Sequence, residues 1–398
     1  MNEWKDVSIG DLCETVSNTY RRKDQEVVLV NTSDVLEGKI LNHQLVPNEN
    51  LKGQFKKTFQ KDDILYSEIR PANKRYAFVD FESTDCYIAS TKLMVLRPKT
   101  ENVTPRYLYA VLTSKEVIDE MQHLAETRSG TFPQITFSSE LAPYHIKLPN
   151  LEIQKKIVSL LDAIEHKIET NVAINENLEQ QARAIFQAWF IDCEPFGGAA
   201  PLAWHPSTLG QIAELKTDSW SPAKNPDVMV EHYSIPAFDD QHYPVFEIAA
   251  GIKSNKYILN SNSVMISKLN PDTKRIWRPL CLSAHSVCST EFIVYEAKKQ
   301  EQRDYIYSIL DSIPFLNHLC SHTTGSTNSR QRATPKSTLD FTLCLPPDSI
   351  IEDFCQIVTP MYDLIASNIV ENQSLAKTRD SLLPRLMYGE LDVSTIEL

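Results

Sequence analysis

Two basic segments, 200 residues apart, are the first candidates for chemistry in this sequence. They read SEIRPANKR at residues 67–75 and SKLNPDTKR at residues 267–275. Each begins with serine, contains a proline and ends with Lys-Arg. Guanidinium and ammonium groups bind phosphate oxygens and guanine edges. The candidate nucleic-acid contacts are therefore Arg70, Lys74 and Arg75 in the first basic segment, and Lys274, Arg275 and the following Arg278 in the second.

Two loops rich in hydroxyl side chains extend this set. They read TRSGTFPQ at residues 127–134 and TTGSTNSRQR at residues 323–332. Hydroxyl groups and backbone amides hold phosphates, and glutamine can bridge adenine. The candidates are Arg128 and Ser129 in the first hydroxyl-rich loop, and Arg330, Gln331 and Arg332 in the second. Each residue alone could be a solvated loop residue, but the recurrence of the pattern favours a binding set.

The sequence lacks the common motifs of catalysis. It has no GxxxxGK[ST], GxGxxG, HExxH, GxSxG or NPP[YF] motif, and its eight cysteines form no CxxC pair. His318 and His322 have the spacing of two metal ligands on a helix, but no further group of ligands accompanies them. We therefore expect a binding protein that holds no metal or cofactor of its own.

The rest of the chain repeats with nearly the same spacing as the basic segments. Trp4 is matched by Trp204, IASTKLMVL (88–96) by VCSTEFIVY (287–295), and RYLYAVL (106–112) by DYIYSIL (304–310). Such self-similarity indicates an internal duplication. Each copy is predicted to be a mixed α/β body followed by one long helix. In the first copy, DILYSEI and YIASTKLMVL are predicted strands, and a helix is predicted from 105 to about 124.

The predicted long helices have heptad spacing, which is typical of coiled coils. Apolar residues follow it through residues 157–189 and again through 354–386. The row of apolar residues along each helix is interrupted by Asn171 and Asn175 in one copy and by Asn368 and Asn372 in the other. We expect an antiparallel coiled coil in which these asparagines fix the register, although parallel pairing would also align them. Alternatively, they face solvent on ordinary bundle helices.

Helix limits and breaks can also be predicted. The first long helix is expected to span about 152–190. Pro360 and Pro384 are expected to kink or break the second, because proline lacks the amide that an interior position needs.

Four segments differ in predicted structure and charge. They are a first body (1–150), a helix and linker (151–200), a second body (201–348) and a C-terminal helix (349–398). The net charge of the chain is −12. The two helical segments carry −4 and −5 of it, whereas the bodies carry −2 and −1. A basic face on each nearly neutral body remains possible. The start of the sequence lacks a signal-peptide pattern and no apolar run is long enough for a membrane span, so we expect a cytoplasmic protein.

Three segments carry a resemblance to a known family. Residues 148–190 resemble the central conserved helix of type I restriction–modification specificity subunits. TRDSLLPRLMYGEL (378–391) resembles their C-terminal signature, and SKLNPDTKR resembles a segment of their second body. The first basic segment departs from this pattern because it lacks the Leu-Asn-Pro core. As an arrangement, the likeness covers the whole chain.

The resemblance implies a non-catalytic subunit that recognises double-stranded DNA and has no membrane partner. Each body would be a target-recognition domain for one half of a bipartite site, and the helices would set the gap between the halves. Two modification subunits carrying S-adenosylmethionine would dock on the helices, and motor–nuclease restriction subunits would bring ATP and Mg²⁺. Because the bodies differ outside their shared motifs, the half-sites are expected to differ.

Two other classes of protein fit parts of the sequence. A structural adaptor that joins two protein-binding domains through a coiled coil would explain the duplication and the acidic helices, but not the recurring basic loops. An enzyme with an unrecognised site, such as a nuclease or transferase fragment, would be active without partners.

Overall fold

The computed structural model describes residues 4–22, 24–49, 51, 53–128, 130–324 and 331–393. The chain forms two compact units. Unit 1 comprises residues 1–168 and 373–398, and unit 2 comprises residues 169–372. Within the described residues, no helix has both the length and the apolar character that a bilayer span requires.

Two long helices contribute to both units, and the other helices are short. The helices are α1 (Ile9–Leu12), α2 (Pro105–Leu112), α3 (Lys115–Arg128), α4 (Leu151–Phe186), α5 (Leu209–Ile212), α6 (Ile235–Gln241), α7 (Arg303–Asp311), α8 (Ile313–Ser321), α9 (Pro335–Thr338) and α10 (Asp348–Met387). A π-helical turn (Gln187–Ile191) directly follows α4. The prediction of a long helix over about 152–190 is thus confirmed, with α4 and this turn together covering the segment.

The body of unit 1 is built from two four-stranded sheets and two short pairs of strands. Its strands are β1 (Lys5–Ser8), β2 (Cys13–Val16), β3 (Glu26–Val30), β4 (Val35–Leu36), β5 (Lys39–Ile40), β6 (Leu45–Pro47), β7 (Phe55–Lys57), β8 (Ile64–Ser67), β9 (Tyr76–Phe78), β10 (Tyr87–Ser90), β11 (Leu93–Pro98) and β12 (His145–Leu148). The larger sheets have the orders β2-β11-β8-β9 and β6-β3-β10-β7, with β3 and β10 parallel. The short pairs are β1-β12 and β4-β5.

The body of unit 2 has a four-stranded sheet, a five-stranded sheet and two short pairs. Its strands are β13 (His205–Thr208), β14 (Ala213–Lys216), β15 (Ser219–Trp220), β16 (Met229–Tyr233), β17 (Val245–Ile248), β18 (Lys256–Ile258), β19 (Ser263–Ser267), β20 (Ile276–Trp277), β21 (Ser286–Ser289), β22 (Phe292–Ala297), β23 (Thr323–Thr324), β24 (Arg332–Ala333) and β25 (Thr342–Leu345). The sheet orders are β14-β22-β19-β20 and β15-β18-β21-β16-β17, with β16 and β21 parallel. The pairs are β13-β25 and β23-β24.

The core of each unit includes side chains from both long helices. In unit 1, Ile157 of α4 and Leu386 of α10 belong to the buried cluster that contains Tyr107 of α2. In unit 2, Phe186 of α4 and Phe354 of α10 belong to a cluster with Tyr305, Tyr295 and their neighbours. Burial of one such large apolar side chain stabilises a fold by roughly 1.5–3 kcal/mol. The long helices are therefore part of each body's core.

α4 and α10 run in opposite directions where they contact each other in unit 2. Asn171 Nδ2 donates to Asn372 Oδ1 at 2.8 Å and to Glu371 Oε2 at 2.7 Å. One turn further along α4, Asn175 Oδ1 accepts from Asn368 Nδ2 at 2.8 Å. In unit 1, Arg379 of α10 donates to Glu165 of α4 at 2.8 Å. In unit 2, residue numbers fall along one helix as they rise along the other, so the asparagine contacts are antiparallel.

The segment YIASTKLMVL is not one strand, and this prediction was wrong. It forms β10 and β11, which belong to different sheets. Between them the chain turns at Thr91 and Lys92, where the Lys92 amide donates to Ser90 Oγ at 3.3 Å. Lys57 Nζ supports the turn by donating to the carbonyls of Thr91 and Leu93. The apolar pattern continues through the turn because both strands are buried.

The single helix predicted from 105 to about 124 is also wrong, because α2 and α3 are separate helices. The Thr113 hydroxyl donates to the carbonyl of Tyr109 at the end of α2. Ser114 Oγ then accepts from the amide of Val117 in the first turn of α3. Hydroxyl side chains that satisfy backbone groups in this way compete with helix continuation.

Pro360 and Pro384 do not break α10, which is continuous from Asp348 to Met387. A break at these residues was therefore wrong, whereas a kink stays a prediction. A proline removes one backbone hydrogen bond from the helix. Near Pro360 the buried side chains of Val358 and Tyr362 hold the helix on the unit 2 core. Tertiary packing outweighs the local preference of proline here.

Replacing Asn171 by alanine should test the polar contact between the two helices. Asn171 is 1% exposed, and its loss leaves the oxygens of Asn372 and Glu371 without this donor. We expect Asn171→Ala to lower the free energy of unfolding by about 1–3 kcal/mol, measured by urea denaturation. The control is Asn177→Ala at an exposed position of α4, for which we expect a change within about 0.5 kcal/mol. Equal effects would show that the buried contact contributes nothing specific.

Candidate nucleic-acid interface

The first basic segment is a closed loop between β8 and β9. The Ser67 amide donates to the carbonyl of Arg75 at 2.9 Å, which brings the ends of the loop together. Ser67 Oγ accepts from the amide of Ile69 at 3.0 Å and lies 3.3 Å from that residue's carbonyl oxygen. Arg70 has a φ of 46°, in the left-handed region. This turn exposes the Arg70 side chain.

The second basic segment, between β19 and β20, has the same backbone pattern. The Ser267 amide donates to the carbonyl of Arg275 at 2.9 Å, and Ser267 Oγ donates to the carbonyl of Leu269 at 2.8 Å. Asn270 has a φ of 47°, matching Arg70. Asparagine tolerates the left-handed region better than arginine does. The two segments thus present different side chains on one backbone shape.

Each basic segment is joined to the hydroxyl-rich loop of its own unit by a matching pair of backbone hydrogen bonds. In unit 1, the Arg70 amide donates to the Pro133 carbonyl at 3.1 Å and the Ile135 amide donates to the Glu68 carbonyl at 2.8 Å. In unit 2, the Asn270 amide donates to the Gln331 carbonyl and the Ala333 amide donates to the Lys268 carbonyl, both at 2.9 Å. The structure therefore brings together the two motifs that the sequence predicts to bind.

Two candidates cannot be placed. Ser129 of the first hydroxyl-rich loop and Arg330 of the second lie outside the described residues. Gln331 is described and provides the backbone contact above, whereas Arg332 pairs with Glu291 at 3.0 and 3.3 Å.

The candidate cations of unit 1 differ in how they are held. Arg70 is exposed and has no carboxylate partner among the described residues. Lys74 pairs with Glu37 at 2.7 Å, and Arg128 pairs with Glu140 at 3.1 Å. Arg75 Nη1 instead donates to the carbonyls of Ser33 and Val35. Arg70 therefore projects its charge into solvent, while the others have protein partners.

The candidate cations of the second basic segment are paired with carboxylates. Lys274 donates to Asp311 Oδ1 at 2.5 Å. Arg275 makes a two-pronged pair with Asp239 at 2.6 and 2.9 Å. The Asp239 carboxylate is exposed, but the Arg275 side chain is only 14% exposed, so a phosphate would have to replace Asp239 at a partly buried guanidinium.

The two histidines with metal-ligand spacing are used by the fold. His318 Nε2 lies 2.9 Å from the carbonyl oxygen of Ser337, and His322 Nδ1 lies 2.9 Å from that of His318. Across the described residues, no group of three or more potential metal ligands converges.

Comparison with known proteins identifies the family. Residues 1–180 match the family model described as "Type I restriction modification DNA specificity domain". Over 98% of its length the chain is 30% identical to the whole of the type I restriction enzyme HindI specificity subunit of Haemophilus influenzae. The chain belongs to the type I specificity-subunit family. It is also 26% identical to the MjaIX specificity subunit of Methanocaldococcus jannaschii, over 74% of this chain and 71% of that protein.

Solved structures of this family share the fold. The type I restriction–modification S subunit from M. genitalium matches with a TM-score of 0.58 at 15% identity, over 97% of this chain and 96% of that chain. A second match, over 98% of both chains, has a TM-score of 0.50 at 18% identity. It comes from a structural study of complex assembly and conformational transition in the type I restriction–modification system. These matches confirm the mixed α/β bodies and long helices of a specificity subunit.

The Arg278 side chain is largely buried, which argues against its predicted role as a DNA contact. It is 11% exposed and donates to both oxygens of Asp304 at 2.8 and 3.2 Å, and to Asp363 at 2.6 Å. Burial alone would raise the pKa of the Asp304 carboxyl, but the guanidinium groups of Arg278 and Arg303 hold that pKa below its usual value. To reach a base or phosphate, this guanidinium would have to leave the buried carboxylate of Asp304. We therefore assign Arg278 a structural role and remove it from the proposed contacts.

Sequence reasoning missed the acidic partners of these cations. Glu37, Asp239, Glu291 and Asp311 are each 36 to 41 residues from the cation that they pair with, so no local spacing marks them. Phe132 was also missed. It is 49% exposed in the first hydroxyl-rich loop, beside the Pro133 carbonyl that accepts from Arg70.

Replacing Arg278 should destabilise the specificity subunit, whereas replacing Arg70 should not. Arg278→Ala leaves the buried carboxylate of Asp304 with Arg303 as its remaining cation. We expect a loss of about 2–4 kcal/mol in the free energy of unfolding at pH 7. Arg70→Ala, at an exposed position, should change it by less than about 0.5 kcal/mol.

The pH dependence provides an independent check of the Arg278 assignment. The folded-state pKa of Asp304 is lowered, so its stabilising contribution is present above the unfolded-state pKa, near ~4, and is lost as the pH falls through the folded-state value. The stability difference between the native protein and Arg278→Ala should therefore shrink in acid. A difference that is small at pH 7, or independent of pH, would contradict the structural role.

Proposed function

We propose that this chain is the subunit that selects the DNA site of a type I restriction–modification complex. Residues 1–150 and 201–348 are its two target-recognition domains, and each recognises one half of a bipartite site. Residues 151–200 and 349–398 provide the helices that set the gap between the halves. The chain has no catalytic role: two modification subunits with S-adenosylmethionine methylate adenine, and restriction subunits use ATP and Mg²⁺.

The observation that carries this proposal is the repeated junction between basic segment and hydroxyl-rich loop. Both junctions have a matching pair of backbone hydrogen bonds, and both have a residue with left-handed backbone at the same position, Arg70 in one and Asn270 in the other. Backbone that approaches a phosphate or a groove edge in one unit would do so in the other. Contacts to phosphate position a protein, and side chains specify the bases. The shared backbone therefore supports a shared mode of docking.

The differing side chains support an asymmetric site. Arg70, which is exposed and can bridge guanine, stands where the other junction has Asn270, whose side-chain oxygen is buried. The sheet orders of the two bodies correspond strand for strand in the four-stranded sheet. An internal pseudo-twofold repeat with unlike reading surfaces would recognise two unlike half-sites.

The charge of the chain fits a mode of binding that depends on partners. Most of the proposed contacts are paired with carboxylates, so the chain alone would offer DNA few unpaired cations. DNA binding is driven largely by release of counterions when cations neutralise phosphates. We therefore expect weak binding by the isolated chain and strong binding after modification subunits add positive surface.

The long helices have features of both a spacer and a docking surface. We propose that α4 and α10 form an antiparallel coiled coil, with Asn171, Asn175, Asn368 and Asn372 fixing its register. Apolar side chains remain exposed on them in unit 2: Val172, Ile174, Ile357 and Leu364. With the acidic character of both helical segments, this surface suits partners that present apolar and basic side chains. Modification subunits would dock there.

Mapping adenine methylation tests this function. The chain would be co-expressed with its native modification subunit in a host without other methylation, and modified adenines would be mapped across the genome. We expect one motif with two unlike halves and a fixed unread gap. Identical inverted halves would contradict the asymmetry. A continuous short site would mean that one body does not read DNA, and no methylation by an active, assembled partner would favour the adaptor.

Removing two cations of the second junction should weaken DNA binding. We expect Lys274→Ala with Arg275→Ala to reduce the affinity of the complete complex by about tenfold and the slope of log affinity against log salt by about two. Assembly with modification subunits should persist. Lys61→Ala, at an exposed ion pair outside the junctions, is the control and should leave affinity unchanged. Loss of assembly in the double variant would mean that these residues serve the fold.

A further inference from the structure

In unit 2, helix α7 carries an aspartate at each end that is bonded to a cation from the region of the second basic segment. Asp304, in its first turn, accepts from Arg278 at 2.8 Å. Asp311, its last residue, accepts from Lys274 at 2.5 Å. The side chain of Asp304 is 2% exposed and that of Asp311 is 6% exposed. Charges removed from water to this extent interact more strongly than exposed ones do.

Both pairs extend to the long helices. Arg183 of α4 donates from Nε to Asp311 Oδ2 at 2.5 Å, so Asp311 is shared by Lys274 and Arg183. Arg278 also donates to Asp363 of α10 at 2.6 Å. The region of the second basic segment is thus linked through ion pairs to α4 and to α10. We call Lys274, Asp311 and Arg183 the Asp311 link.

The geometry of the Asp311 link favours a fixed position for the segment. Lys274 Nζ donates to the carbonyl of Asp311 at 3.1 Å as well as to its carboxylate, and so lies at the C-terminus of α7. A cation at a helix C-terminus is stabilised by the helix dipole. Arg183 is held in addition by Glu179 at 3.2 Å, one turn earlier on α4. Each member therefore has more than one restraint.

Unit 1 has no counterpart of this link at the matching positions. Thr113 stands where the other copy has Asp311, and its hydroxyl donates to the carbonyl of Tyr109. Lys74, the counterpart of Lys274, pairs instead with the exposed Glu37 of its own body. Phe78 takes the place of Arg278, with Arg106 lying over its ring at 4.2 Å. The first basic segment is therefore held by different means.

We propose that Asp311 and Arg183 are positioning residues that fix the second basic segment relative to the long helices, and thereby fix the gap that the complex accepts between half-sites. This inference rests on the proposed function, because it assigns a role in spacing to a junction that reads DNA. The sharing of Asp311 suits that role. One buried carboxylate holds both Lys274 of the segment and Arg183 of α4, so the segment cannot shift away from the helix without giving up a buried ion pair.

The experiment uses the complete complex and a set of DNA substrates. The substrates carry the native half-sites separated by the native gap, or by a gap one base pair shorter or longer. The ratio of methylation rates on native and altered gaps measures gap discrimination. The variants are Arg183→Gln, which cuts the link at α4 and leaves Lys274 on Asp311, and Asp311→Asn, which weakens both pairs. Thermal unfolding of each complex reports stability separately.

Two matched variants control for charge and for the local ion pairs. Arg183→Lys keeps a cation near Asp311 and should retain most of the discrimination. Asp239→Asn breaks the Arg275 pair in the same basic segment without touching the link, so it should change affinity for both gaps alike.

We expect Arg183→Gln and Asp311→Asn each to reduce gap discrimination by about fivefold, the effect of roughly 1 kcal/mol, while activity at the native gap persists. Full discrimination in Arg183→Gln would overturn the proposal, whatever the result for Asp311→Asn. The proposal would also be overturned if the loss of gap discrimination followed the loss of thermal stability and was equally large in Asp239→Asn. If the native complex itself does not discriminate between gaps, the proposed bipartite function fails, and the inference fails with it.

Discussion

The rest of this fold depends on the burial of both long helices in the core of each body. The aromatic contact between Phe190, which directly follows α4, and Phe354 of α10 has a ring-centroid distance of 5.0 Å and is nearly perpendicular. Tyr305 of α7 lies 4.8 Å from Phe190 in the same cluster. Edge-to-face aromatic pairs add about 0.5–1.5 kcal/mol beyond area burial. A helix held in this way cannot rotate without opening the core, so both helices are fixed against the body of unit 2.

The side chains of the two junctions are less constrained than those of the core. Each junction is fixed by backbone hydrogen bonds, which do not depend on side-chain identity. Arg70 and Asn270 can therefore differ while their backbones agree. This separation lets the side chains of a junction differ while its backbone shape is kept. The net charge of −12 is compatible with candidate DNA contacts, because most of the negative charge lies on the helical segments.

The sequence predicted the features that are encoded locally or by repetition. Heptad spacing predicted the long helices, and the strand patterns predicted mixed α/β bodies. Local patterns failed where tertiary contacts decide the outcome. Pro360 remains inside a helix because Val358 and Tyr362 are buried beside it, and the buried run at 87–96 hides a turn that Ser90 and Lys57 hold. The partners of the candidate cations were not predictable, since Asp311 and Lys274 are 37 residues apart. The ion pairs of Arg278 with Asp304 and Asp363 were not predictable for the same reason.

The most direct test of the account asks which half-site each junction touches. A photo-crosslinking residue would be placed at Ala72 or at Asp272, matched exposed positions in the two basic segments, and the complete complex would be irradiated on its own methylation site. If each junction reads its own half-site, position 72 will crosslink in one half-site and position 272 in the other, with no crosslinks in the gap. Crosslinks from both positions in the same half, or from either in the gap, would contradict the claim that each junction reads its own half-site.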